Sequence, residues 1–367
     1  MASTAKILAL GGDGIGPEVV DAGLEILTCV TRDSGLQIEV EHDLLHGAAY
    51  DAHGVFCRDE TVRKARAADA VLVGAVGGPK WDSLEIEGGP AEKDGLVRLR
   101  QELDVYAGLR PARCYDALID KTPFRPEHVR GTDLMVVREL CSGLYFGEPR
   151  GIDRLPGGGL AGYDANYYTS AEIERIARVG FELARRRSGR LASLDKANVM
   201  ESGVLWRRIV TRIGAEDYPD VALTHLYADN AVYQFIKNPK AFDVILGDNL
   251  IGDIVSDLVG VVAGSLAMLP SASLTRLTPE GTKNHPAIYE AVHGSAPDIA
   301  GKGIANPIGT ILSVAMMLRH SLARPDLARR VEVATDNVLA DGVLTPDLGG
   351  TATTGDVVDA MISVLRA

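Results

Sequence analysis

Short apolar runs alternate along the chain with segments in which apolar residues recur at helical spacing. Six of the runs are typical of buried strands, because apolar and β-branched residues are bounded by glycine or charge. They are KILAL at 6–10, AVLVGAV at 70–76, LMVVREL at 134–140, LASLDKANV at 191–199, VALTHLYAD at 221–229 and FDVILGD at 242–248. Strands that alternate with helices predict an α/β protein with a largely parallel sheet.

Helix-start signals mark two of the segments between these runs. Pro17 suits the first position of a helix that follows the first strand. In 169–187, Thr169 and Glu172 predict a capping box at the start of an amphipathic helix. The segment before it, 150–168, is rich in glycine and tyrosine, and we interpret it as a protruding hairpin or arm.

Composition narrows the classes of function. The chain has 367 residues and a formal net charge of −12, which disfavours a nucleic-acid or anionic-membrane protein. Its longest uncharged apolar run, LVGVVAGSLAMLP, is too short to cross a bilayer. The four cysteines form no C-x-x-C pair, which indicates a reducing cytoplasm and no zinc knuckle.

Two glycine-rich loops suggest ligand binding. GGDGIGPE at 11–18 is not a Rossmann fingerprint, because Pro17 stands where the third glycine belongs, and a plain strand-to-helix turn explains it equally well. HGSAPDIAGKGIANP at 293–307 could hold an adenine and a ribose on exposed backbone N–H groups. There Asp298 could accept both ribose hydroxyls and repel a 2′-phosphate. The alternative is a surface loop with a Pro-Asp turn.

GDNLIGDIVSDL at 247–258 places two carboxylates in a strongly apolar segment. On a helix, Asp253 and Asp257 stand about 5–6 Å apart and could share one cation. Oxygen ligands without Cys or His indicate Mg²⁺ or Mn²⁺, and Asp229 could supply a third oxygen. The alternative is that these aspartates cap helices or pair with arginines.

The same segment predicts a buried helix with a narrow polar stripe. Its apolar face is predicted to contain Ile254, Val255, Leu258, Val259 and Val262. Its stripe is predicted to contain Asp253, Ser256, Asp257, Gly260 and Gly264. A buried carboxylate needs a partner, so a bound cation would explain the stripe.

Basic residues at the ends of apolar elements indicate a carboxylate substrate. In GLVRLRQEL, helical spacing turns Arg100 towards the leucine face and Arg98 away from it. Arg110 and Arg138 lie at strand positions, and three such arginines could clamp a small polycarboxylate. Lys196 is placed similarly, and a lysine close to a cation is disposed to lose its proton, as a general base must. Each residue alone is more often part of a structural ion pair.

In combination and in this order, these segments resemble the β-decarboxylating dehydrogenases, the family of isocitrate and isopropylmalate dehydrogenases. The motifs are GDGIGPE, VGAVGGPKWD (73–82), LRP (109–111), VRELCSGLYFGEPRG (137–151), DKANV (195–199), GDNLIGDIVSDL, LPSASL (269–274) and HGSAPDIAGKGIANP. They span nearly the whole chain, and GGPKWD and YFGEPRG favour the isopropylmalate branch.

The resemblance implies a fold of two α/β domains that share one continuous mixed sheet, distinct from the Rossmann fold. Residues 1–105 and 264–367 would form the NAD-binding first domain. Residues 106–263 would form the second, with the dimer interface and an arm at about 150–168. A cytoplasmic homodimer with shared active sites is expected.

Roles follow from the resemblance position by position. Mg²⁺ or Mn²⁺ would be held by Asp253, Asp257 and the partner subunit's Asp229. The partner's Lys196 would deprotonate the C2 hydroxyl, and Tyr145 would protonate the enol. The substrate would contact Arg100, Arg110, Arg138, Leu96, Val97 and Lys93. NAD would contact Gly77, Gly78, Glu290, His293, Gly294, Ser295, Ala296, Asp298, Ile299 and Asn306. The expected reaction is oxidative decarboxylation of 3-isopropylmalate in leucine biosynthesis.

The sequence departs from the family pattern near the substrate. Lys93 stands where a glutamate is usual, and Val97 replaces a leucine. NPIGTI at 306–311 lacks the commoner alanines. Homoisocitrate, tartrate or another 3-substituted malate is therefore an alternative substrate. The sequence also permits a nicotinamide-independent metal-dependent decarboxylase or lyase, or a catalytically silent interaction protein.

Overall fold

A ten-stranded mixed sheet runs through the molecule in the order β2-β1-β3-β12-β11-β4-β5-β10-β8-β9. The computed structural model describes residues 3–86 and 89–367. The strands are β1 Ser3–Gly12, β2 Leu36–Asp43, β3 Ala70–Ala75, β4 Ala107–Arg113, β5 Asp133–Glu139, β6 Gly151–Arg154, β7 Leu160–Tyr163, β8 Arg190–Asp195, β9 Ala222–Tyr227, β10 Val244–Gly247, β11 Pro270–Leu274 and β12 Ala287–Ala291. The fold is α/β, as predicted.

Helices connect most of the strands. They are α1 Gly16–Thr31, α2 His46–His53, α3 Asp59–Ala67, α4 Pro79–Asp82, α5 Gly95–Glu102, α6 Pro126–Val129, α7 Ser170–Arg186, α8 Glu201–Asp217, α9 Ala228–Lys237, α10 Asn249–Gly260, α11 Ile308–His320, α12 Pro325–Ala340 and α13 Thr354–Arg366. Within the described ranges, no helix has both the length and the apolar content of a membrane span.

The sheet has two halves that differ in their origin along the chain. Strands β1, β2, β3, β11 and β12 come from the first and last parts, and β4, β5, β8, β9 and β10 come from the middle. The halves meet where β11 pairs antiparallel with β4, with Ala272 opposite Leu109. Side chains from both halves therefore meet near this junction.

Both predicted helix starts are present in the structure. Pro17 lies in the first turn of α1, where its missing N–H costs no helical hydrogen bond. Thr169 and Glu172 form the predicted capping box of α7. The 150–168 segment forms the antiparallel hairpin β6–β7, on which Ile152 is 75% exposed. The prediction of a protruding hairpin is confirmed.

Two strand predictions were partly wrong. The run at 191–199 was expected to be a buried strand throughout, but β8 ends at Asp195 and Val199 is 72% exposed. The run at 221–229 was expected to be a buried strand, but β9 is the edge strand of the sheet and most of its side chains are half-buried or exposed. Apolar composition does not distinguish an edge from a centre, because that depends on which strands lie on either side. The strand also ends at Tyr227, so Asp229 lies in the first turn of α9.

Candidate functional site

Two buried arginines project from neighbouring strands towards α10. Arg138 on β5 pairs with Gly108 on β4, and Arg110 stands two residues further along β4. Side chains two residues apart on a strand point to the same face, so both guanidinium groups lie on one side of the sheet. This adjacency follows from the antiparallel register of β4 and β5.

The polar face of α10 receives these arginines. Arg138 donates to Asp253 and also to Asn249 Oδ1, with Nε at 3.1 Å and Nη2 at 2.7 Å. Arg110 donates from Nη1 to Ser256 Oγ at 2.6 Å. The same nitrogen lies 3.6 Å from one carboxylate oxygen of Asp253 and 3.6 Å from one of Asp257. The two carboxylates predicted to share a cation therefore face one guanidinium together.

Burial and repulsion between like charges shift the pKa values of these groups. Burial lowers the pKa of Arg138 to about 10, and the neighbouring Arg110 charge adds to the effect. Burial, together with Arg100, also lowers the pKa of Arg110. Burial raises the pKa of Asp257, and the charge of Asp253 contributes to this rise. The cluster is thus a pair of cations held against a pair of anions.

The prediction of a buried α10 was wrong on one side of the helix. The side chain of Asp253 is 37% exposed, that of Asp257 is 57% exposed, and Ile254 is 58% exposed although it was assigned to the apolar face. Val255 and Val259 are buried as predicted. The apolar sequence of the helix did not show that one of its faces is open in the single chain.

Tyr145 joins the same cluster from the turn at Gly143–Tyr145. Its hydroxyl donates to Asp253 Oδ2 at 2.9 Å, and its ring lies 5.4 Å from the Arg138 guanidinium. Burial, followed by the Asp253 charge, raises the pKa of Tyr145. Its hydroxyl is therefore protonated at neutral pH and available as a proton donor.

Arg100 points inward from α5 as predicted and pairs with Glu290 at the end of β12. Both side chains are buried. Burial opposes the charge on Arg100, but Glu290 outweighs it and raises the pKa of the guanidinium. Leu96 is buried beside it and Val97 is half-buried.

In the described chain, Lys93 has no hydrogen bond or ion pair to these arginines and carboxylates. It lies in the short turn Pro90–Lys93, and its Nζ donates to the backbone carbonyl of Asp82 at 3.2 Å. Asp82 ends α4, which follows the glycines of the predicted cofactor loop.

The two glycine-rich loops adjoin. Ile15 N donates to Ser295 O at 2.8 Å, and a side chain at Gly14 would place its Cβ 2.0 Å from that oxygen. Gly14 also has a φ of +56°, so this close approach depends on glycine. The turn at 11–18, left open on spacing alone, therefore forms part of the wall of the 293–307 loop.

Asp13 organises the nearby Gly77–Gly78 turn. Its buried carboxylate accepts from Gly77 N at 2.9 Å and from Ala48 N at 2.8 Å, and it lies 2.8 Å from His46 Nδ1. We did not predict this role, although a carboxylate in a glycine-rich loop at a strand end was a usable signal. Asn249 was also missed, although it stands four residues before Asp253 on the same helix.

Within the 293–307 loop, some side chains are free for a ligand and others are not. His293 Nε2 is buried and has no hydrogen-bond partner in the described chain, and burial lowers the pKa of this histidine. Asp298 and Gly294 are exposed, Ser295 is buried, and Ala296 and Ile299 are half-buried. Asn306 instead accepts from Ile308 N at 3.0 Å and donates to Asp347 at 3.0 Å, so its amide is already engaged at the start of α11.

Lys196 and Asp229 form a second, separate pair. Lys196 Nζ lies 2.5 Å from Asp229 Oδ1, and this hydrogen bond lowers the pKa of Asp229. The Asp229 side chain is 71% exposed. No hydrogen bond or ion pair links this pair to Asp253 or Asp257 in the described chain, and no three metal-binding side chains cluster there. A single chain brings together only part of the predicted site.

Comparison with known proteins identifies the family of the chain. Residues 6–361 match the family model described as isocitrate/isopropylmalate dehydrogenase. A 3-isopropylmalate dehydrogenase of Ruegeria pomeroyi is 55% identical over 95% of this chain and 94% of that protein. One of Cereibacter sphaeroides is 52% identical over 99% of this chain and 98% of that protein.

Solved structures give the same result for the fold. Isocitrate dehydrogenase from Methylococcus capsulatus matches with a TM-score of 0.86 at 33% identity, covering 99% of this chain and 100% of that chain. A β-decarboxylating dehydrogenase from Thermococcus kodakarensis matches with a TM-score of 0.75 at 34% identity, covering 99% and 96%.

Proposed function

Since this chain belongs to the isocitrate/isopropylmalate dehydrogenase family and is a β-decarboxylating dehydrogenase, we propose that it oxidises and decarboxylates 3-isopropylmalate with NAD. The observation that carries the proposal is the convergence of Arg110, Arg138 and Tyr145 on Asp253 and Asp257. The reaction would serve leucine biosynthesis and would yield 4-methyl-2-oxopentanoate and CO₂.

The arginines would bind the two carboxylates of the malate. Arg110 and Arg138 are buried, fixed by Ser256 and Asn249, and separated by two positions on adjacent strands. Fixed guanidinium groups suit carboxylates because they offer paired donors in a rigid fork. Arg100 would complete the clamp, with Glu290 holding it in place before substrate binds.

The carboxylates fit a divalent cation. Asp253 and Asp257 stand one turn apart on α10, are partly exposed, and offer only oxygen ligands, which suits Mg²⁺ or Mn²⁺. The third ligand would be Asp229 of the partner subunit. The Asp229 side chain is 71% exposed in the single chain and is therefore accessible to a second subunit. When bound, the cation would polarise the C2 oxygen and stabilise negative charge there as CO₂ leaves.

Two side chains, one from each subunit, would move protons. Lys196 of the partner subunit would take the proton of the C2 hydroxyl while hydride leaves C2 for the nicotinamide. Tyr145 would donate its hydroxyl proton to C3 after decarboxylation. Its raised pKa keeps that proton in place until it is needed.

NAD would occupy the surface made by the Gly77–Gly78 turn and the 293–307 loop. His293 Nε2, buried without a partner in the described chain, is a donor or acceptor awaiting a ligand. Exposed Asp298 would accept the ribose hydroxyls, and its charge would repel a 2′-phosphate. NAD is therefore proposed over NADP. Asn306 would contribute to NAD binding indirectly, by holding the start of α11 in place, because its amide is already engaged there.

We also propose a homodimer with shared active sites. Helices α9 and α10 carry apolar side chains that are exposed in the single chain, with Tyr233 62%, Ile236 53% and Ile254 58% exposed. Covering them with a second copy would remove apolar surface from water. The second domain would be 106–263, with the 150–168 arm, and the first would be 1–105 and 264–367. A cytoplasmic location belongs to the same proposal.

Homoisocitrate is the alternative substrate, and the case for it depends on Lys93. Lys93 is a cation near α5, and a substrate with a third carboxylate, such as homoisocitrate, would suit it. Because the Lys93 Nζ is engaged by the Asp82 carbonyl, it is not free to bind a third carboxylate. We therefore prefer isopropylmalate as the substrate.

The test is a substrate panel. NADH formation is measured from 3-isopropylmalate, homoisocitrate and tartrate, with Mg²⁺ and with a chelator. We expect the highest kcat/KM for 3-isopropylmalate and dependence on the cation. Absence of NADH from every malate would refute the dehydrogenase proposal, and a higher kcat/KM for homoisocitrate would overturn the choice of substrate.

A further inference from the structure

The proposed base and one proposed cation ligand lie just beyond the ends of two paired strands. Strand β8 ends at Asp195, which lies opposite Tyr227 at the end of the parallel strand β9. Lys196 follows Asp195 directly, and Asp229 lies two residues after Tyr227 in the first turn of α9. The position of Lys196 relative to Asp229 therefore depends on how firmly these two strand ends are held.

Helix α8 packs directly against the turn that carries Lys196. A Cβ at Gly203 would lie 2.9 Å from the carbonyl carbon of Lys196 and 2.8 Å from Ala197 N. The helix can approach the turn this closely only because residue 203 is a glycine. Arg207 stands four residues further along α8 and so lies on the same face of the helix.

Arg207 holds the carboxylate of Asp195 with two hydrogen bonds. Its Nε donates to Oδ2 at 2.8 Å and its Nη2 donates to Oδ1 at 2.9 Å, which is the bidentate geometry that a guanidinium offers a carboxylate. Oδ1 also accepts from Ala197 N at 2.9 Å, and the Asp195 side chain is 1% exposed. Through this one buried carboxylate, the arginine fixes the residues on both sides of Lys196.

Arg207 also contacts the end of β9. Its guanidinium carbon lies 4.7 Å from the centre of the Tyr227 ring, within the range of a cation–π interaction. The hydrogen bonds to Asp195 raise the pKa of Arg207, so the guanidinium keeps its charge for both contacts. One side chain thus connects the residue before Lys196 to the strand end that precedes Asp229.

We propose that Arg207 is a positioning residue, which holds Lys196 and Asp229 in the geometry in which one subunit presents them to the active site of the other. The inference rests on the proposed function, because it takes Lys196 and Asp229 to complete the site of the second subunit. Arg207 would act through these two residues and not on the substrate itself. A misplacement of about 1 Å at a reacting group can lower a rate by about 10²-fold, so the loss of this constraint should be measurable.

The first test separates turnover from binding. Arg207→Ala should lower kcat at least about tenfold and change KM for 3-isopropylmalate by less than about threefold, because the arginines proposed to bind the malate lie elsewhere. Arg208→Ala, at an exposed neighbouring position of α8, is the matched control and should behave as the parent chain does. A fall in kcat of less than about tenfold in Arg207→Ala would overturn the proposal.

A conservative variant covers the case in which Arg207→Ala does not fold. Arg207→Lys keeps a positive charge beside the buried Asp195 carboxylate but loses the bidentate pair of donors. It should fold, as thermal unfolding can show, and its kcat should lie between those of Arg207→Ala and the parent chain. A kcat equal to that of the parent chain would overturn the proposal.

A second test needs neither substrate nor cation. Because the amide of Ala197 is held by Asp195, hydrogen exchange of residues 196–200, measured by mass spectrometry, should be at least about fivefold faster in Arg207→Ala than in Arg208→Ala. Exchange in α10 should be the same in both variants. Equal exchange of residues 196–200 in the two variants would overturn the proposal.

Mixing subunits shows which half of the active site Arg207 serves. Refolded in equal amounts with Asp253→Asn, Arg207→Ala should give about a quarter of the parent activity, because the heterodimer has one site in which both halves are intact. Refolded with Lys196→Ala, it should give no more than its own residual activity, since both defects then lie in the same half.

The mixtures also distinguish failure of this inference from failure of the proposed function. Recovery of Arg207→Ala with Lys196→Ala, or no recovery with Asp253→Asn when Lys196→Ala does recover with it, would overturn the role of Arg207. No recovery between Lys196→Ala and Asp253→Asn would instead contradict the shared site. The kinetic and exchange measurements would then still decide whether Arg207 positions Lys196.

Discussion

Tyr145 Oη donates to Asp253 Oδ2 across 2.9 Å, while the other oxygen of the same carboxylate accepts from Arg138. One side chain therefore connects the proposed proton donor, a proposed cation ligand and a proposed substrate clamp. Because both contacts hold the Asp253 carboxylate, this part of the proposed site is positioned before substrate arrives.

Replacing Tyr145 by Phe should remove the proton donor and leave the clamp in place. We expect kcat to fall by about 10²-fold or more, as for loss of a general acid, with a smaller change in KM. Steady-state kinetics with 3-isopropylmalate measure both. Tyr218→Phe, on a tyrosine stacked against Phe181 away from the cluster, is the control and should keep its activity. An unchanged kcat in Tyr145→Phe would exclude it as the donor.

Mixing two inactive variants tests the shared active site. Lys196→Ala lacks the proposed base, and Asp253→Asn lacks a cation ligand from the other cluster. If each active site takes Lys196 from one subunit and Asp253 from the other, a heterodimer has one intact site. Refolding an equal mixture should then restore about a quarter of the parent activity.

Each variant refolded alone provides the control and should stay inactive. A mixture as inactive as its components, with heterodimers shown by mass spectrometry, would contradict the shared site.

Lys93 should have little influence on the choice of malate. Its Nζ is bound to the Asp82 carbonyl, so we expect Lys93→Ala to change the ratio of kcat/KM for 3-isopropylmalate and homoisocitrate by less than about threefold. Val97→Leu, which adds a methylene to a half-buried position beside Leu96, should change the preference among 3-alkylmalates by about tenfold. A larger effect of Lys93→Ala than of Val97→Leu would reverse these roles.

Glu139 should make stability depend on pH. Burial raises the pKa of this fully buried carboxyl to about 7, despite hydrogen bonds from Cys141 N and Ser142 N. Its pKa in the unfolded chain is about 4.3. A raised folded-state pKa means that the group favours folding while protonated, so stability is lost as pH rises from about 4.3 through 7.

Urea unfolding at pH 5 and pH 8 measures this effect. Between these values the free energy of unfolding should fall by about 2–3 kcal/mol more in the parent chain than in Glu139→Gln. Glu216→Gln, at an exposed position, should follow the parent chain. The same pH dependence in all three would show that Glu139 does not titrate in this range.

Gly309, in the unusual NPIGTI sequence, allows α11 to lie close to the backbone of residues 267–269. A Cβ there would lie 2.7 Å from Ala267 O and 3.0 Å from Leu269 O. Gly309→Ala should therefore destabilise the fold by about 1–3 kcal/mol, in spite of the better helix propensity of alanine. Gly355→Ala in α13, with space for its methyl group, should be neutral or stabilising. Thermal unfolding of both variants measures the difference.

The sequence by itself determined the features that depend on neighbours along the chain. The capping box of α7, the inward turn of Arg100 and the common face of Asp253 and Asp257 follow from helical spacing, and the structure confirms each. Motifs spread over the chain were sufficient to identify the family.

Only the tertiary structure decided the features that join distant segments. Arg100 meets Glu290 across 190 positions, and Arg110 stands beside Arg138 because β4 and β5 pair in one register. Strand order also made β9 an edge, and packing left Ile254 exposed in the single chain. Hydrophobic spacing specifies which residues share a face, but exposure of that face depends on what packs against it, and no local pattern contains that information.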